Sequence, residues 1–227
     1  MIQETIIIGA GGHAKVIIDM LQDAGIQPVG CTSANRDVKD VLGVPVVGGD
    51  NELPRLFANG VRLAFIAIGD NRKRMEVSRA VCAIGFQLIN AISPHAVVSR
   101  SAQLGQGVAI MPGVVINACA QIGDGAIVNT GATVDHDCII GDYAHVAPGA
   151  NLAGCVRLGE GAFLGTGSRA IPDVSVGAWT TVGAGCVIIR SLREHVVAVG
   201  VPAVVIREMG TVGEEKNSNC ASPFRGQ

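Results

Sequence analysis

The sequence predicts two structural regimes in one chain: a small Rossmann-like α/β domain with a parallel sheet, then a left-handed parallel β-helix built from hexapeptides. Three observations carry that reading. Strand and helix signals alternate up to about residue 92, a six-residue period runs unbroken from Val98 to Ile188, and Ser93-Pro94 marks the change of grammar between them. The expected boundaries are 1–93 for the α/β domain, 94–206 for the β-helix and 207–227 for a polar, flexible tail.

In the first region, Thr5 to Ile8 is a β-branched run ending at Gly9, and Ala14 to Leu21 has apolar residues at helical spacing, stopped by Gly25. Val29 to Thr32 reads as a second strand, followed by a turn-rich stretch to Gly49. Asn51 is placed to cap a helix through Phe57, with Pro54 tolerated in its first turn. Leu63 to Ile68 is a continuous apolar strand, Asn71 to Ala83 a helix ended by Gly85, and Phe86 to Ile92 a last strand. Strands separated by such helices form a parallel sheet wound on both faces.

Beyond Pro94, sixteen positions spaced by six, from Val98 through Val134 to Ile188, are Val, Ile or Leu with the single exception of Ala170. Four residues after each stands a mostly small side chain, as at Ala120, Ala126 and Ala132, and Leu192 alone breaks that row. Gly often follows the anchor, as at Gly105, Gly123 and Gly141, and Gly or Asn is expected at the tight corners. A fixed period of this kind is the signature of a stacked repeat. Three hexapeptides close a triangular coil of eighteen residues, anchors point inward, and coils stack at a strand spacing of about 4.8 Å.

Composition narrows the function. The chain has 227 residues with 17 basic against 19 acidic, a net charge of −2, which offers no basic face to nucleic acid or anionic lipid. One Trp, one Tyr and five Phe are too few for base-stacking or sugar-stacking platforms. The longest apolar runs fall far short of the ~18 residues a membrane span needs. Met1 to Thr5 lacks the basic, apolar start of a secretory signal, so a cytoplasmic location is expected. Seven cysteines without a repeated Cys-x-x-Cys argue against a disulfide framework or structural zinc, and Cys119, Cys138, Cys155 and Cys186 read as small core fillers.

Residues eighteen apart lie in register on successive coils, so a pocket can be read from the period. His136 follows the anchor Val134 by two places, and its mate one coil on is Gly154. An imidazole beside a bare main-chain amide suits acyl transfer: the ring takes a proton from the nucleophile and the N–H holds the developing oxyanion. Asp135 and Asp137 flank the histidine, and either one is placed to fix its tautomer. A solvated turn or a metal site is the plainer reading of Asp-His-Asp. His145 lies half a coil away, on another side of the prism, so both histidines meet in one pocket only if prisms associate, naturally three-fold.

Gly9-Ala10-Gly11-Gly12-His13-Ala14 leads from a strand into a helix and fits a phosphate-cradling turn, where N–H groups and the helix dipole favour an anion. No acidic residue ends the second strand, which reads Cys31-Thr32-Ser33, so a mono- or diphosphate nucleotide fits better than a dinucleotide. Gly69-Asp70-Asn71-Arg72 ends a strand on the same sheet edge, and Lys15 and Arg72 are candidate phosphate partners, although a solvated helix face accounts for each equally well.

Both halves together resemble the hexapeptide-repeat sugar acyltransferases of the sialic acid O-acetyltransferase family, and within it the nucleotide-4-amino-sugar N-acetyltransferases of the UDP-4-amino-sugar and GDP-perosamine type. The matching segments include Gly9 to Lys15, Ala67 to Arg72, Val115 to Ala118, Asn129-Thr130, Asp135-His136-Asp137, Ala144 to Val146, Leu152 to Gly154 and Gly200 to Ala203. The resemblance implies a homotrimer with sites between neighbouring prisms, acetyl-CoA as co-substrate, and no metal cofactor. It implies that His136 is the general base, with His145 and Asn129 placing the reacting groups. A nucleotide-linked 4-amino-4,6-dideoxy sugar would be held by Gly9, Gly11, Gly12 and His13, joined by Lys15, Thr32, Ser33, Gly69, Asn71 and Arg72. The coenzyme would run past Gly154, Gly165, Thr166, Gly183 and Ala184 toward Pro202. Relatives commonly carry an acidic pair after the second strand, where this chain has Thr32-Ser33-Ala34-Asn35.

The activity expected is direct N-acetyl transfer without an acyl-enzyme. Two rivals are a sialic acid O-acetyltransferase using the same pocket with a hydroxyl nucleophile, and a γ-carbonic-anhydrase-like metalloprotein with the same prism. Only His136 and His145 stand in the middle of the prism, one fewer than the three ligands such a zinc site uses. A purely structural scaffold is the plainest alternative.

Overall fold

A computed structural model describes residues 4–210. The α/β region runs β1 (Thr5–Ile8), α1 (Gly12–Asp23), β2 (Gly30–Thr32), β3 (Asp40–Val41), β4 (Val44–Gly48), α2 (Leu53–Ala58), β5 (Leu63–Ile66), α3 (Asn71–Ile84) and β6 (Gln87–Leu88). The sheet order is β3-β4-β2-β1-β5-β6, parallel throughout except for the β3–β4 hairpin. Strand β1 is buried on both faces. Ile7 packs with Ile17, Ile18 and Leu21 of α1, and Ile6 and Ile8 pack with Leu53, Val77 and Val81 of α2 and α3.

Three local expectations are corrected. The stretch to Gly49 is not all turn: it holds β3 and β4, whose strand signal is interrupted by Pro45, a residue without an N–H to donate. Asn51 does not cap a helix; it sits in a 3-10 turn, Asp50–Glu52, and its Nδ2 donates to Glu52 Oε1 at 3.1 Å. Phe86 to Ile92 is not one strand. Asn90 turns the chain by donating to the Gly105 carbonyl at 2.8 Å and accepting from the Val108 N–H at 3.0 Å. As a result β7 (Ala91–Ile92) pairs with Ala109–Ile110 and forms a rung of the second region.

That region is a three-sided left-handed prism of two-residue strands, β7 to β23 (Val187–Ile188), closed by β24 (Val196–Val199) and β25 (Val204–Glu208). Every anchor is the second residue of its strand, and each rung up to Arg169–Ala170 pairs with the one eighteen residues on, as Val134 with Leu152. Side one carries β7 and the rungs up to Thr181–Val182, with the β24–β25 hairpin at its end; side two runs from Val97–Val98 to Val187–Ile188; side three runs from Gln103–Leu104 to Ser175–Val176. From Ile110 onward the anchors are at most 5% exposed, and the small residues beside them are equally buried. Each buried Val, Leu or Ile contributes ~1.5–3 kcal/mol, which is ample to hold rungs of two residues in place.

The corners follow a rule the sequence disguised. From Leu104 to Val182 the residue three places after an anchor adopts the left-handed backbone conformation, and it is Gly at eight corners, among them 107, 113, 125 and 131, but Cys119, Asp137, Tyr143, Cys155, Asp173 and Trp179 at the other six. The Gly directly after the anchor serves a different need. A Cβ on Gly141 would lie 2.7 Å from the Glu160 amide nitrogen, so glycine there admits the next coil. Two of the four repeat cysteines are therefore not core fillers: Cys138 and Cys186 are buried, whereas Cys119 is exposed and Cys155 half-buried on this corner row. Leu192 breaks the small-residue row because the phase slips by two. It bridges to Val176, sixteen residues back, and takes the anchor's place.

The two regions share one continuous core, in which Ile17, Ile18 and Leu21 of α1 join Ala91, Val108 and Ala109 of the prism. A buried guanidinium reinforces the join. Arg74, 1% exposed, donates to the carbonyls of Ile68, Gly69, Gly125 and Tyr143 and to Asn71 Oδ1, at 2.7–3.0 Å. The tail expected from 207 lies from 211 on outside the described residues, and β25 runs to Glu208.

Candidate active site

His136 stands on the corner between sides two and three, directly after β14 (Thr133–Val134). The backbone has left the strand there, so the alternation that left Asp135 and Asp137 equivalent does not apply. Asp137 takes φ 59°, and its Oδ2 lies 2.8 Å from His136 Nδ1. Asp135 faces the other way: its Oδ1 accepts from the His136 N–H at 2.7 Å and from Asn117 Nδ2 at 2.8 Å. The Asn117 bond, followed by that N–H, holds the Asp135 carboxyl below the usual carboxylate range. Asp137 is thus the orienting carboxylate. With Nδ1–H donating to it, Nε2 keeps its lone pair, and the same bond raises the ring's pKa above the ordinary histidine value, burial opposing it weakly.

The ring lies across Gly154. A Cβ there would be 2.5 Å from Cε1 and 2.6 Å from Nε2, so only a bare Cα admits the imidazole. The Cys155 N–H donates to the His136 carbonyl at 2.9 Å and locks the two coils in register. Among the described residues the Gly154 N–H has no hydrogen-bond acceptor.

Asn129 and His145 occupy a different edge, by side one, beneath the α/β region. His145 is 8% exposed, packs edge-on against Phe163 at 5.2 Å, and has Nε2 3.0 Å from Asn129 Nδ2. With the amide donating, the ring proton sits on the buried Nδ1, beside the Gly69 backbone. Burial first, then the charges of Arg74 and His13, lower the His145 pKa to about 3. His13 falls to about 4 through burial and Arg74. Both rings are therefore neutral at pH 7. His13, Gly69, Asn71, His145 and Arg74 converge here, while His136 does not. A shared His136–His145 metal site is accordingly absent from the single chain.

The Gly9 turn is built as a cradle. Gly9 takes φ 113° and a Cβ would lie 2.9 Å from the Ala67 carbonyl oxygen, while Gly11 and Gly12 at the start of α1 face open space. The Gly9 N–H donates to Thr32 Oγ1 at 3.3 Å, and that hydroxyl donates to Asp50 Oδ1 at 2.6 Å. Ser33 Oγ accepts from the Asn35 N–H at 3.1 Å. Beyond them opens a cleft of about 610 Å³, lined by Ser33, Asn35, Arg36, Lys39, Asp50 and Asn51. It lies at the carboxyl edge of β2 and β4, where ligands of such sheets bind. Lys15 projects to solvent. Asn71 is engaged within the fold, donating to the Gly161 carbonyl at 3.0 Å, and the Arg72 guanidinium stacks over Trp179 at 4.5 Å rather than reaching toward the glycine turn.

The residues expected along the coenzyme divide between two corners. Gly154 is on the corner between sides two and three; Gly165, Thr166, Gly183 and Ala184 are on the corner between sides one and two. Gly165 has a packing reason as well, since a Cβ would lie 2.6 Å from the Ala184 nitrogen. Pro202 sits in the exposed β24–β25 turn. Sequence reasoning missed Arg74 and Asp50. Arg74 lies among the charges of a helix that looks solvated, and Asp50 meets Thr32 only after a hairpin intervenes.

A left-handed hexapeptide prism with an accessible His–Asp pair over a glycine, joined to an α/β domain whose first strand runs through a glycine turn into its first helix, defines a hexapeptide-repeat transferase. Residues 4–81 match the PglD N-terminal domain model, and residues 101–136 and 119–154 match the bacterial transferase hexapeptide model. Perosamine N-acetyltransferase from Caulobacter crescentus, solved with CoA and GDP-perosamine, is 51% identical with a TM-score of 0.89, covering 92% of this chain and 99% of that one. The acetyltransferase domain of PglB from Neisseria gonorrhoeae, solved with acetyl coenzyme A, is 36% identical with a TM-score of 0.84, covering 90% and 99%. An uncharacterised protein of Acanthamoeba polyphaga mimivirus is 34% identical over 101 residues, 44% of this chain, which spans only 20% of that protein. The chain belongs to the hexapeptide-repeat sugar acyltransferases of the nucleotide-4-amino-sugar N-acetyltransferase type.

Proposed function

We propose that the protein transfers the acetyl group of acetyl-CoA to the 4-amino group of a nucleotide-linked 4-amino-4,6-dideoxy sugar, with a GDP-linked sugar as the first candidate. The observation that carries this reading is His136, oriented by Asp137 at 2.8 Å and laid across Gly154. The relative solved with CoA and GDP-perosamine supports the substrate class, as does the existence of variants of that enzyme in which a histidine is replaced by asparagine or alanine.

In the reaction the neutral amine attacks the thioester carbonyl while His136 Nε2 accepts its proton. The Gly154 N–H faces the acyl oxygen on which negative charge develops. When the C–S bond breaks, His136 returns the proton to the departing thiolate, and Asp137 steadies the transient imidazolium. The glycine turn and the cleft beside Ser33 and Asp50 would take the diphosphate and nucleoside.

His136 and Gly154 lie on one corner, and Asn129 and Gly165 on another. A second prism laid alongside would bring the two edges together, which supports a homotrimer with sites between subunits. The accompanying expectation is a cytoplasmic enzyme feeding glycan assembly; no helix among the described residues is long and apolar enough to cross a membrane. The test is a panel of GDP- and UDP-linked amino sugars and sialic acids with acetyl-CoA, the acetylated atom being read by NMR. Acetylation of the 4-amine is expected, and loss of ~10²–10⁴-fold in kcat for His136→Ala. Acetylation of a hydroxyl, or wild-type turnover by that variant, refutes the proposal.

A further inference from the structure

We propose that the catalytic corner is also a binding site for a thiophilic divalent cation of the zinc type, and that occupancy shuts the enzyme off. The ligand set is the His136 imidazole, the Asp137 carboxylate and Cys155 Sγ, whose donor atoms all lie within 4.8 Å of one another, and Nδ1 is the ring nitrogen on the Asp137 side. The inhibitory consequence rests on His136 being the base; the binding itself does not.

The eighteen-residue register builds this set. Asp137 and Cys155 are mates on successive coils, both at the left-handed corner position, with φ 59° and 62°. Their side chains therefore leave the prism in parallel, one strand spacing apart, which is about 4.8 Å. The His136 ring lies beside them over Gly154, with Nδ1 already 2.8 Å from the Asp137 oxygen. Tetrahedral zinc takes sulfur at about 2.3 Å and nitrogen or oxygen at about 2.0–2.2 Å, so its ligands stand 3–4 Å from one another. Small side-chain rotations close the set around an ion, and a water completes the coordination. The surroundings favour a dication, since Asp135 and Asp173 flank the same corner. His136 and Asp137 are exposed and Cys155 half-buried, so the site opens to solvent.

On binding, the metal takes the place of the proton between Nδ1 and Asp137, that proton moves to Nε2, and the Cys155 thiol gives up its own to solvent. The neutral imidazole ligated through Nδ1 then carries its one proton on Nε2. The lone pair that would receive the amine's proton is then gone, so a single ion removes the base and its orienting carboxylate together. The ion acts here as an inhibitor and takes no part in the transfer.

Two measurements on the full chain test this. Cobalt(II), added without substrates, is expected to give a thiolate-to-metal band in the near ultraviolet that is lost in Cys155→Ala. Zinc in a metal buffer, with acetylated sugar rather than free thiol as the readout, is expected to abolish turnover of the wild type reversibly. Cys155→Ala, active without metal, should then need roughly tenfold or more zinc for the same inhibition. A cobalt–thiolate band that persists in Cys155→Ala would place the metal on another cysteine, such as exposed Cys119, and overturn the proposal. Equal zinc sensitivity of the two proteins would overturn it as well. If the band depends on Cys155 while His136→Ala retains turnover, the site stands and the assignment of the base falls.

Discussion

Replacing Gly154 with Ala tests the catalytic geometry without touching a titratable group. The new methyl would sit 2.5 Å from His136 Cε1 and 2.6 Å from Nε2. Carbon atoms in contact settle at about 3.5–4.0 Å, so the ring must retreat by ~1 Å. It has somewhere to go, since the His136 side chain is 57% exposed, and Gly154 does not occupy the left-handed region that would strain an alanine. Stability is therefore expected to change by no more than ~0.5 kcal/mol. Catalysis is less tolerant: a misplacement of ~1 Å costs about 10²-fold, or ~2.7 kcal/mol of barrier. The assay is kcat at saturating acetyl-CoA and sugar, paired with thermal unfolding of the same preparation. A variant with wild-type Tm and wild-type kcat would show that the ring's seat over the main chain is irrelevant to the chemistry, and the proposed transfer geometry would fail.

Asp137→Asn removes the largest influence raising the His136 pKa, so the rising limb of kcat/KM against pH should move to lower pH while the maximum falls. Arg74→Met leaves five oxygens at the junction of the two regions without their donor and should cost ~3 kcal/mol or more in chemical denaturation, far beyond an exposed Arg→Met change. His13 and His145 have native pKa values lowered to about 4 and about 3, against an ordinary value of 6.5. Between about pH 6.5 and 4 the unfolded chain therefore binds more protons than the native one, and stability falls as pH falls, by at most ~1.4 kcal/mol per pH unit for each ring. His145→Phe should flatten that slope in urea titrations at successive pH values.

The prism could be read from the sequence because its period is local and repetitive: each anchor sees the same environment, so sixteen positions repeat one message. His136 and Gly154 were found for the same reason, register being arithmetic on a rod. The choice between Asp135 and Asp137 was not legible, because it depends on a left-handed corner dihedral at a residue that need not be glycine. The core-filler reading of Cys155 failed alike, since a cysteine three places past an anchor looks no different in sequence from one four places past, yet the former lies on the corner row and the latter in the core. In the α/β region the strands β1 and β5 announce themselves by unbroken apolar runs. Strand β4, divided by Pro45, does not, and Asp50 and its bond to Thr32 depend on where that hairpin folds back.

The two-residue slip at Leu192 bears on how such a chain tolerates changes of length. Removing six residues from the middle of the rod would turn everything downstream onto the neighbouring side, carrying Gly165 away from its edge; removing eighteen would leave every side chain on its own side, one rung closer to the Arg74 anchorage. Only beyond Ile188, where a terminal hairpin alone remains to be placed, has an out-of-step deletion been accommodated. Indels among homologous chains should accordingly come in whole turns ahead of that point and in any number after it.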